Sequence, residues 1–489
     1  MTQDTDSATL ERVLVGAAAA AGPAAAATPA ERAARLIAVA DALDDAAEEL
    51  IALAAAETHL PPAPRLTGEL ARTTFQLRLF AGELDEGHFL GATIDHADAA
   101  WPMGARPDIR RLLIPVGPVL VFAAGNFPFA FSVAGGDTAS ALAAGCPVVL
   151  KAHPGHPQLS DRTGSLVHEA LVAAGAPEGI LAVVHGVDVG VTALRDERIA
   201  AASFTGSVPG GRALFDIANG RPRPIPFYGE LGSVNPVVVT PGAVAARGEA
   251  VARAYVGSYT LGAGQFCTKP GLLLLPEGHG LDGTLKEAVS AVAAQPMLNE
   301  RIAEGYTRVL SGIREVPGVE ALAESVQDGP GFTPALLSIG GKEFLAAGTG
   351  VHQECFGPSS LVVTYADRAE LVRLLDELEP GLTATVQGET SEAELVRGLL
   401  PSLVKRAGRL LWNEWPTGVT VSWAQQHGGP YPATTSPTST SVGTAAVERF
   451  VRPVAWQGFP DALLPDALRD DNPWSLPRRT DGRRTVPGR

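Results

Sequence analysis

Three cysteines, Cys146, Cys267 and Cys355, carry all the thiol chemistry available to a chain of 489 residues. An odd count in so long a chain excludes a disulfide framework, and the spacing matches no zinc pattern, so no metal site is expected. Free thiols fit a reducing compartment. Cys267 stands apart because it closes a Gly-rich loop, Gly264-Gln265-Phe266-Cys267, behind a stretch from Val251 to Leu261 that reads as a helix. A thiolate held in such a loop is a nucleophile able to form and then release a covalent intermediate. The bland role for any cysteine is a small packed hydrophobe, and Cys146 and Cys355, in apolar or Gly-Pro surroundings, fit that role.

Other islands could also do chemistry. Glu230 ends the run Pro226-Phe227-Tyr228-Gly229 and precedes Leu231-Gly232. It reads as a solvated acid, or as a base whose apolar neighbours raise its pKa. Asn126 in Gly125-Asn126-Phe127-Pro128-Phe129 suits a turn before proline. Lys151 ends an apolar run, the place where parallel sheets put ligands. Thr205, Gly206 and Ser207 open a helix whose N-terminal amides can hold a pyrophosphate, although no strict G-x-G-x-x-G is present. Glu354-Cys355-Phe356-Gly357-Pro358 is a further island. His427, in His427-Gly428-Gly429-Pro430-Tyr431-Pro432-Ala433-Thr434, reads as a loop histidine without a catalytic role.

The elements that must position these residues alternate. Thr28-Pro29-Ala30-Glu31 is a capping box, and the helical spacing behind it predicts a helical N-terminal region to about Glu57. The alanine stretch 17–27 is too weakly apolar for a signal or a membrane span, and Gly22-Pro23 should break it. A second helical stretch runs from Arg72 to Leu84. From Arg110 onward, β-like runs (112–124, 146–151, 180–184, 199–204, 235–239) alternate with helical ones (135–144, 161–174, around Ala193, 211–217). That alternation predicts parallel strands with helices on both faces. The tail after Pro465 reads as an extended arm. With 46% apolar and 19% charged residues and mean hydropathy +0.13, the chain can bury a large core and is not disordered. Its net charge of −15, with no basic stripe, argues against a nucleic-acid partner. No membrane partner is expected, and the reading is a cytoplasmic protein.

Taken in order, the five islands around Asn126, Thr205, Glu230, Cys267 and Glu354 resemble the aldehyde dehydrogenase superfamily, from the N-terminal helices to about Pro453. The resemblance implies an α/β fold with a Rossmann-like cofactor domain, an α/β catalytic domain and a small β-projection used in oligomerisation. The corresponding division is 1–230, with a projection segment near 101–115, then 231–425, then 426–489 returning to the cofactor domain with an oligomerisation strand and the C-terminal arm. It implies Cys267 as nucleophile, Glu230 as the base that activates water, and the Asn126 amide with the Cys267 N–H as oxyanion hole. It further implies Lys151 on the adenosine ribose, Thr205, Gly206 and Ser207 at the pyrophosphate, Glu354 on the nicotinamide ribose and Phe356 against the nicotinamide.

The segments 427–434 and Arg452 to Pro460 resemble the α-ketoglutaric semialdehyde (2,5-dioxovalerate) dehydrogenase branch and a related fatty-aldehyde branch. The expectation is therefore NAD(P)-dependent oxidation of a small aldehyde, α-ketoglutaric semialdehyde first and a long-chain aldehyde second, by a homodimer or homotetramer. Pro154 stands where NAD-preferring members commonly carry a glutamate that would repel a 2′-phosphate. NADP is thus the expected preference over NAD, with Lys151 as the available cation and His153 or His156 as possible helpers. Lys269 is a speculative partner for a substrate carboxylate, against a structural role. A pseudoenzyme and a CoA-acylating enzyme are the other readings. Retention of Cys267, Glu230 and Asn126 together opposes the first, and Glu230 opposes the second.

Overall fold

The computed structural model describes residues 3–485, so residues 1–2 and 486–489, the outer ends of the first and last segments predicted above, lie outside the described residues. Helices Ser7–Ala26, Pro29–Asp45, Ala47–Thr58 and Thr67–Glu86 open the chain. The predicted capping box forms reciprocally: the Thr28 N–H donates to the Glu31 carboxylate at 2.7 Å, and the Glu31 N–H donates to Thr28 Oγ1 at 3.2 Å. The predicted break at Gly22-Pro23 does not occur, because Pro23 lies in the last turn, where it costs a single hydrogen bond, and buried Ala20 and Ala24 hold the helix down.

The first sheet is parallel throughout. Its strands are β1 (Val119–Phe122), β2 (Val148–Lys151), β3 (Leu181–Val184), β4 (Ala201–Thr205) and β5 (Phe227–Glu230), arranged in space as β3-β2-β1-β4-β5. This is a doubly wound order, and it reverses between β1 and β4, where such sheets bind ligands at their carboxyl ends. Every residue of β1 and β2 is buried, as expected of strands covered by helices on both faces. One face packs on the N-terminal helices around Leu36, Leu43, Leu77 and Phe80, and the other packs around Leu10, Leu14, Leu194 and Phe227.

The second sheet contains β6 (Pro236–Val239), β7 (Leu272–Pro276), β8 (Glu320–Ala323), β9 (Ala335–Gly340), β10 (Ser359–Tyr365), β11 (Gly381–Gln387) and β12 (Ala407–Trp412). Their spatial order is β8-β9-β10-β7-β6-β11-β12, and only edge strand β8 runs antiparallel to its neighbour. A third sheet joins Val451–Gln457 to Ile109–Pro115, which pairs on to Thr93–Asp95. The tail does not remain an extended arm. Arg478–Thr480 adds to Thr93–Asp95, and Arg483–Thr485 adds beyond it. Buried Arg110 draws the tail in by donating to Leu468 O at 2.8 Å and to Asp470 at 2.7 Å.

Candidate active site

The carboxyl ends of the first sheet and the loop before β7 meet at Cys267. Helix Pro241–Thr260 ends in a turn where Gly262, Ala263 and Gly264 all take positive φ, 57°, 56° and 66°. A Cβ on Gly264 would sit 2.1 Å from the Gly357 carbonyl oxygen, so only glycine lets this loop abut the segment that carries Glu354. Asn235 then pins the loop from below: its amide donates to Cys267 O at 2.8 Å and to Lys269 O at 3.0 Å, while its oxygen accepts from Ser233, Thr383 N and Thr383 Oγ1. In the sequence Asn235 only opened the β-like run 235–239, and nothing there marked it as a positioning residue.

Lys269 is buried at 3% exposure, and its ammonium donates to Cys355 O at 2.6 Å, Gly357 O at 3.2 Å and Ser359 O at 2.8 Å. All three protons are spent on backbone. Lys269 therefore ties the nucleophile loop to the Glu354 segment, and the idea that it meets a substrate carboxylate is set aside. Cys146 and Cys355 are buried, as expected of packing residues.

The largest departure from the sequence reading is His427. Its Nε2 lies 2.8 Å from Glu230 Oε1 and 3.6 Å from Cys267 Sγ, and the imidazole, carboxylate and thiol atoms all fall within 4.8 Å of one another. The reading of His427 as a bland loop residue is corrected. The loop docks beside β5: Leu231 N donates to Ala433 O at 2.7 Å, Gly229 N donates to Thr435 Oγ1 at 2.8 Å, and Glu230 bridges to Thr434. Ser441, also missed, donates its hydroxyl to Glu230 Oε2. The signal for His427 was the unusual spelling of residues 427–434, Ser441 had none, and a separation of about two hundred residues hides both contacts from sequence alone.

These partners reverse the expected titration of Glu230. Burial by itself drives its carboxyl up. The charge interaction with His427 and the hydrogen bonds from His427, Ser441 and Cys267 outweigh that and hold it below the usual range. The expectation of a raised value relied on sequence neighbours, and the decisive neighbours are spatial. Cys267 goes the other way: desolvation first, then the carboxylates of Glu230 and Glu354, push its thiol well above the usual range. The site rests as thiol beside carboxylate, with an imidazole touching both.

Asn126 reaches the same loop, its side-chain amide donating to Gln265 O at 3.0 Å, two residues before the nucleophile. Phe127 packs edge-on against Phe266 with centroids 5.2 Å apart, whereas Phe129 is buried at 2% exposure and belongs to the core. Lys151 ends β2, with burial lowering its ammonium pKa. Thr205 ends β4, and Ser207 caps helix Val208–Asn219 by accepting from Gly210 N. Glu354 has its carboxyl pushed up to about 7 by desolvation, partly offset by Lys269. A Cβ on Gly232 would lie 2.4 Å from Glu354 Oε2, so glycine is what admits that carboxyl beside the Glu230 segment. Phe356 follows on the same loop, half-buried.

A cation, a capped helix N-terminus and a carboxyl thus line the carboxyl edge of a doubly wound sheet, and this donor set fits a dinucleotide: amides for a pyrophosphate, Lys151 and Glu354 for ribose hydroxyls. His153 and His156 add no charge, because burial pushes His153 down to about 3 and lowers His156 as well. His156 is instead held between Ala124 O and Ser160.

The model of the aldehyde dehydrogenase family matches residues 1–452. The chain is 48% identical over 461 residues to alpha-ketoglutaric semialdehyde dehydrogenase 2 of Azospirillum brasilense, covering 93% of this chain and 87% of that protein. It is 42% identical over 466 residues to alpha-ketoglutaric semialdehyde dehydrogenase of Acinetobacter baylyi, with the same 93% and 87% coverage. Among solved structures it is similar in fold to 3,6-anhydro-L-galactose dehydrogenase, with TM-score 0.78 and 23% identity over 93% of this chain and 92% of that one. Aldehyde dehydrogenase 21 of Physcomitrella patens gives TM-score 0.78 and 21% identity over 93% and 91%.

Proposed function

The chain belongs to the aldehyde dehydrogenase family, and from that premise we propose that it oxidises α-ketoglutaric semialdehyde to α-ketoglutarate with NADP as the preferred dinucleotide and NAD as the alternative. The substrate assignment rests on the two relatives at 48% and 42% identity, each named for that substrate. The observation that carries the chemistry is the contact of Cys267, Glu230 and His427 within 4.8 Å.

In this reading the aldehyde carbon is attacked by Cys267 Sγ, and the thiol proton passes to the His427–Glu230 pair as the C–S bond forms. The aldehyde oxygen becomes an oxyanion, held by the Asn126 amide and the Cys267 backbone N–H; one such donor is worth about 3–4 kcal/mol in the transition state. A dinucleotide held by Lys151, Ser207 and Glu354 would supply the hydride acceptor needed to oxidise the thiohemiacetal to a thioester. Once the thiol proton has passed from the pair to solvent, Glu230 draws a proton from a water whose oxygen attacks the thioester carbon; the C–S bond breaks, that proton returns to the Cys267 sulfur, and the acid leaves.

Lys151, Thr205, Gly206, Ser207, Glu354 and Phe356 are the dinucleotide-binding residues in this proposal, and no metal takes part. The division 1–230, 231–425 and 426–489 assigns dinucleotide binding, catalysis and return with oligomerisation. A cytoplasmic homodimer or homotetramer completes the proposal. Among the described residues no helix is long and apolar enough to cross a membrane.

The test is direct. Cys267→Ala should abolish turnover, whereas Glu230→Gln should form an acyl-enzyme on Cys267 that mass spectrometry detects and that does not clear. Full turnover by either variant overturns the assignment. A tenfold preference for decanal over α-ketoglutaric semialdehyde in kcat/KM would replace the substrate with a fatty aldehyde and leave the mechanism standing.

A further inference from the structure

A short keto acid ending in a carboxylate needs a buried cation at the far end of its pocket, because a carboxylate taken out of water unpaired is costly. With Lys269 committed to three backbone carbonyls, the remaining cations that act on Cys267 are Arg72 and Arg409. They differ in what their guanidinium groups still have to give.

Arg409, on β12, spends both terminal nitrogens on the 416–418 loop, reaching Pro416 O at 2.8 Å and Gly418 O at 3.2 Å, and keeps without a partner only its buried Nε, the nitrogen at the stem of the guanidinium rather than at its fork. It clamps that loop. Arg72, on helix Thr67–Glu86, uses Nε to donate to Val419 O at 3.3 Å, yet its Nη1 is buried with no hydrogen-bond partner. Its guanidinium carbon stands 5.5 Å from the Phe131 ring centroid. Phe131 in turn lies 6.3 Å from the His427 ring and 5.5 Å from Phe127. Arg72 is therefore one aromatic ring removed from the catalytic imidazole.

The nearest carboxylate on its own helix does not claim it. Glu69 pairs with Arg65 and accepts from Phe129 N at 2.8 Å and Ala130 N at 2.9 Å, so its oxygens are already engaged. The other charged or titratable groups acting on Arg72 are Cys267, Glu230 and Arg65, with desolvation the largest influence. A buried guanidinium N–H left without an acceptor forfeits its hydrogen bond to water, which a ligand oxygen can restore.

We propose that Arg72 is the carboxylate anchor of the aldehyde pocket, its free Nη1 donating to the keto-acid end of a short semialdehyde whose aldehyde carbon lies at Cys267. This rests on the substrate reading above, and it adds the residue that selects against neutral aldehydes.

The experiment compares kcat/KM for α-ketoglutaric semialdehyde and for pentanal, which has the same chain length without the keto acid, in the wild type and in Arg72→Met. It also measures glutarate as a competitive inhibitor against pentanal. The expected result is that Arg72→Met lowers the ratio of the two kcat/KM values at least tenfold, chiefly through KM of the charged substrate, and weakens glutarate inhibition by a similar factor. An equal loss on both aldehydes marks Arg72 as a clamp for the Val419 loop only and overturns the proposal, as does unchanged glutarate inhibition. If Arg72→Met fails to fold, Arg72→Lys, which keeps the charge but loses the fork, reads the same ratio and the same inhibition. A wild type that favours pentanal refutes the substrate reading separately, while glutarate inhibition still reports on Arg72.

Discussion

The imidazole of His427 bonds the carboxylate of Glu230 at 2.8 Å although the two residues are 197 positions apart in the chain. The other ring nitrogen, Nδ1, is buried without a partner. Nε2 is also the nitrogen nearest the nucleophile, at 3.6 Å. His427 thereby orients Glu230, whose carboxylate also receives the Cys267 S–H, for its proposed part as proton acceptor and as the base that activates water. Replacing His427 with Gln should lower kcat by about 10²–10³-fold, the scale of a lost general acid–base partner, with a smaller change in KM. Stopped-flow measurement of the first turnover should show a slower burst, and the acid limb of the kcat profile should move up as Glu230 loses its largest stabilising partner. A variant with an unaltered burst would reduce His427 to a packing role.

Cys267 should be slow to alkylate in the free enzyme near neutral pH. Its thiol is pushed well above the usual range by desolvation and by the carboxylates of Glu230 and Glu354. The reactive thiolate fraction therefore grows as pH rises through and beyond 9. Iodoacetamide labelling followed by peptide mass spectrometry should give a rate that climbs with pH across that range. Glu230→Gln, which removes one negative neighbour, should label faster at any given pH, because the thiolate is no longer repelled. A flat rate between pH 7 and pH 9 would contradict this electrostatic picture.

Lys269→Met should cost stability as well as activity. The change strips three backbone carbonyls of their donor in a buried setting, and each unsatisfied group forfeits about 1–3 kcal/mol. Part of that is recovered because a buried ammonium no longer has to be desolvated. The expected net loss is about 2–4 kcal/mol, visible as a lower denaturation midpoint. The nucleophile loop and the Glu354 segment should loosen together, so KM for the dinucleotide should rise along with the fall in stability.

The proposed NADP preference turns on position 154. No carboxylate stands there, and the cations that bear on the pocket beside it are Lys151 and Arg301, the latter acting on both Lys151 and His153. His153, held near a pKa of 3, contributes no charge at neutral pH. The wild type should favour NADP in kcat/KM, and Pro154→Glu should shift the ratio toward NAD by about tenfold, which corresponds to about 1.4 kcal/mol. A tenfold wild-type preference for NAD would reverse the assignment.

The local grammar of the chain was legible in the sequence. The Thr28–Glu31 capping box, the short apolar runs that became β1 to β4 and β6, and the islands around Asn126, Thr205, Glu230, Cys267 and Glu354 depend on residue type, spacing and near neighbours, which sequence carries directly. What only the tertiary structure decided were matters of long-range contact. Pro23 is tolerated because its helix is almost over and its alanines are buried. The tail is captured as two strands because Arg110 reaches it. Lys269, close to the nucleophile in sequence, is consumed by carbonyls of a segment about ninety residues away. His427 and Ser441 reset the titration of Glu230, and Arg72 keeps an N–H free behind Phe131. Charge and hydrogen bonding act through space at a few ångströms, and the chain's own order records nothing about which distant residues will share that space.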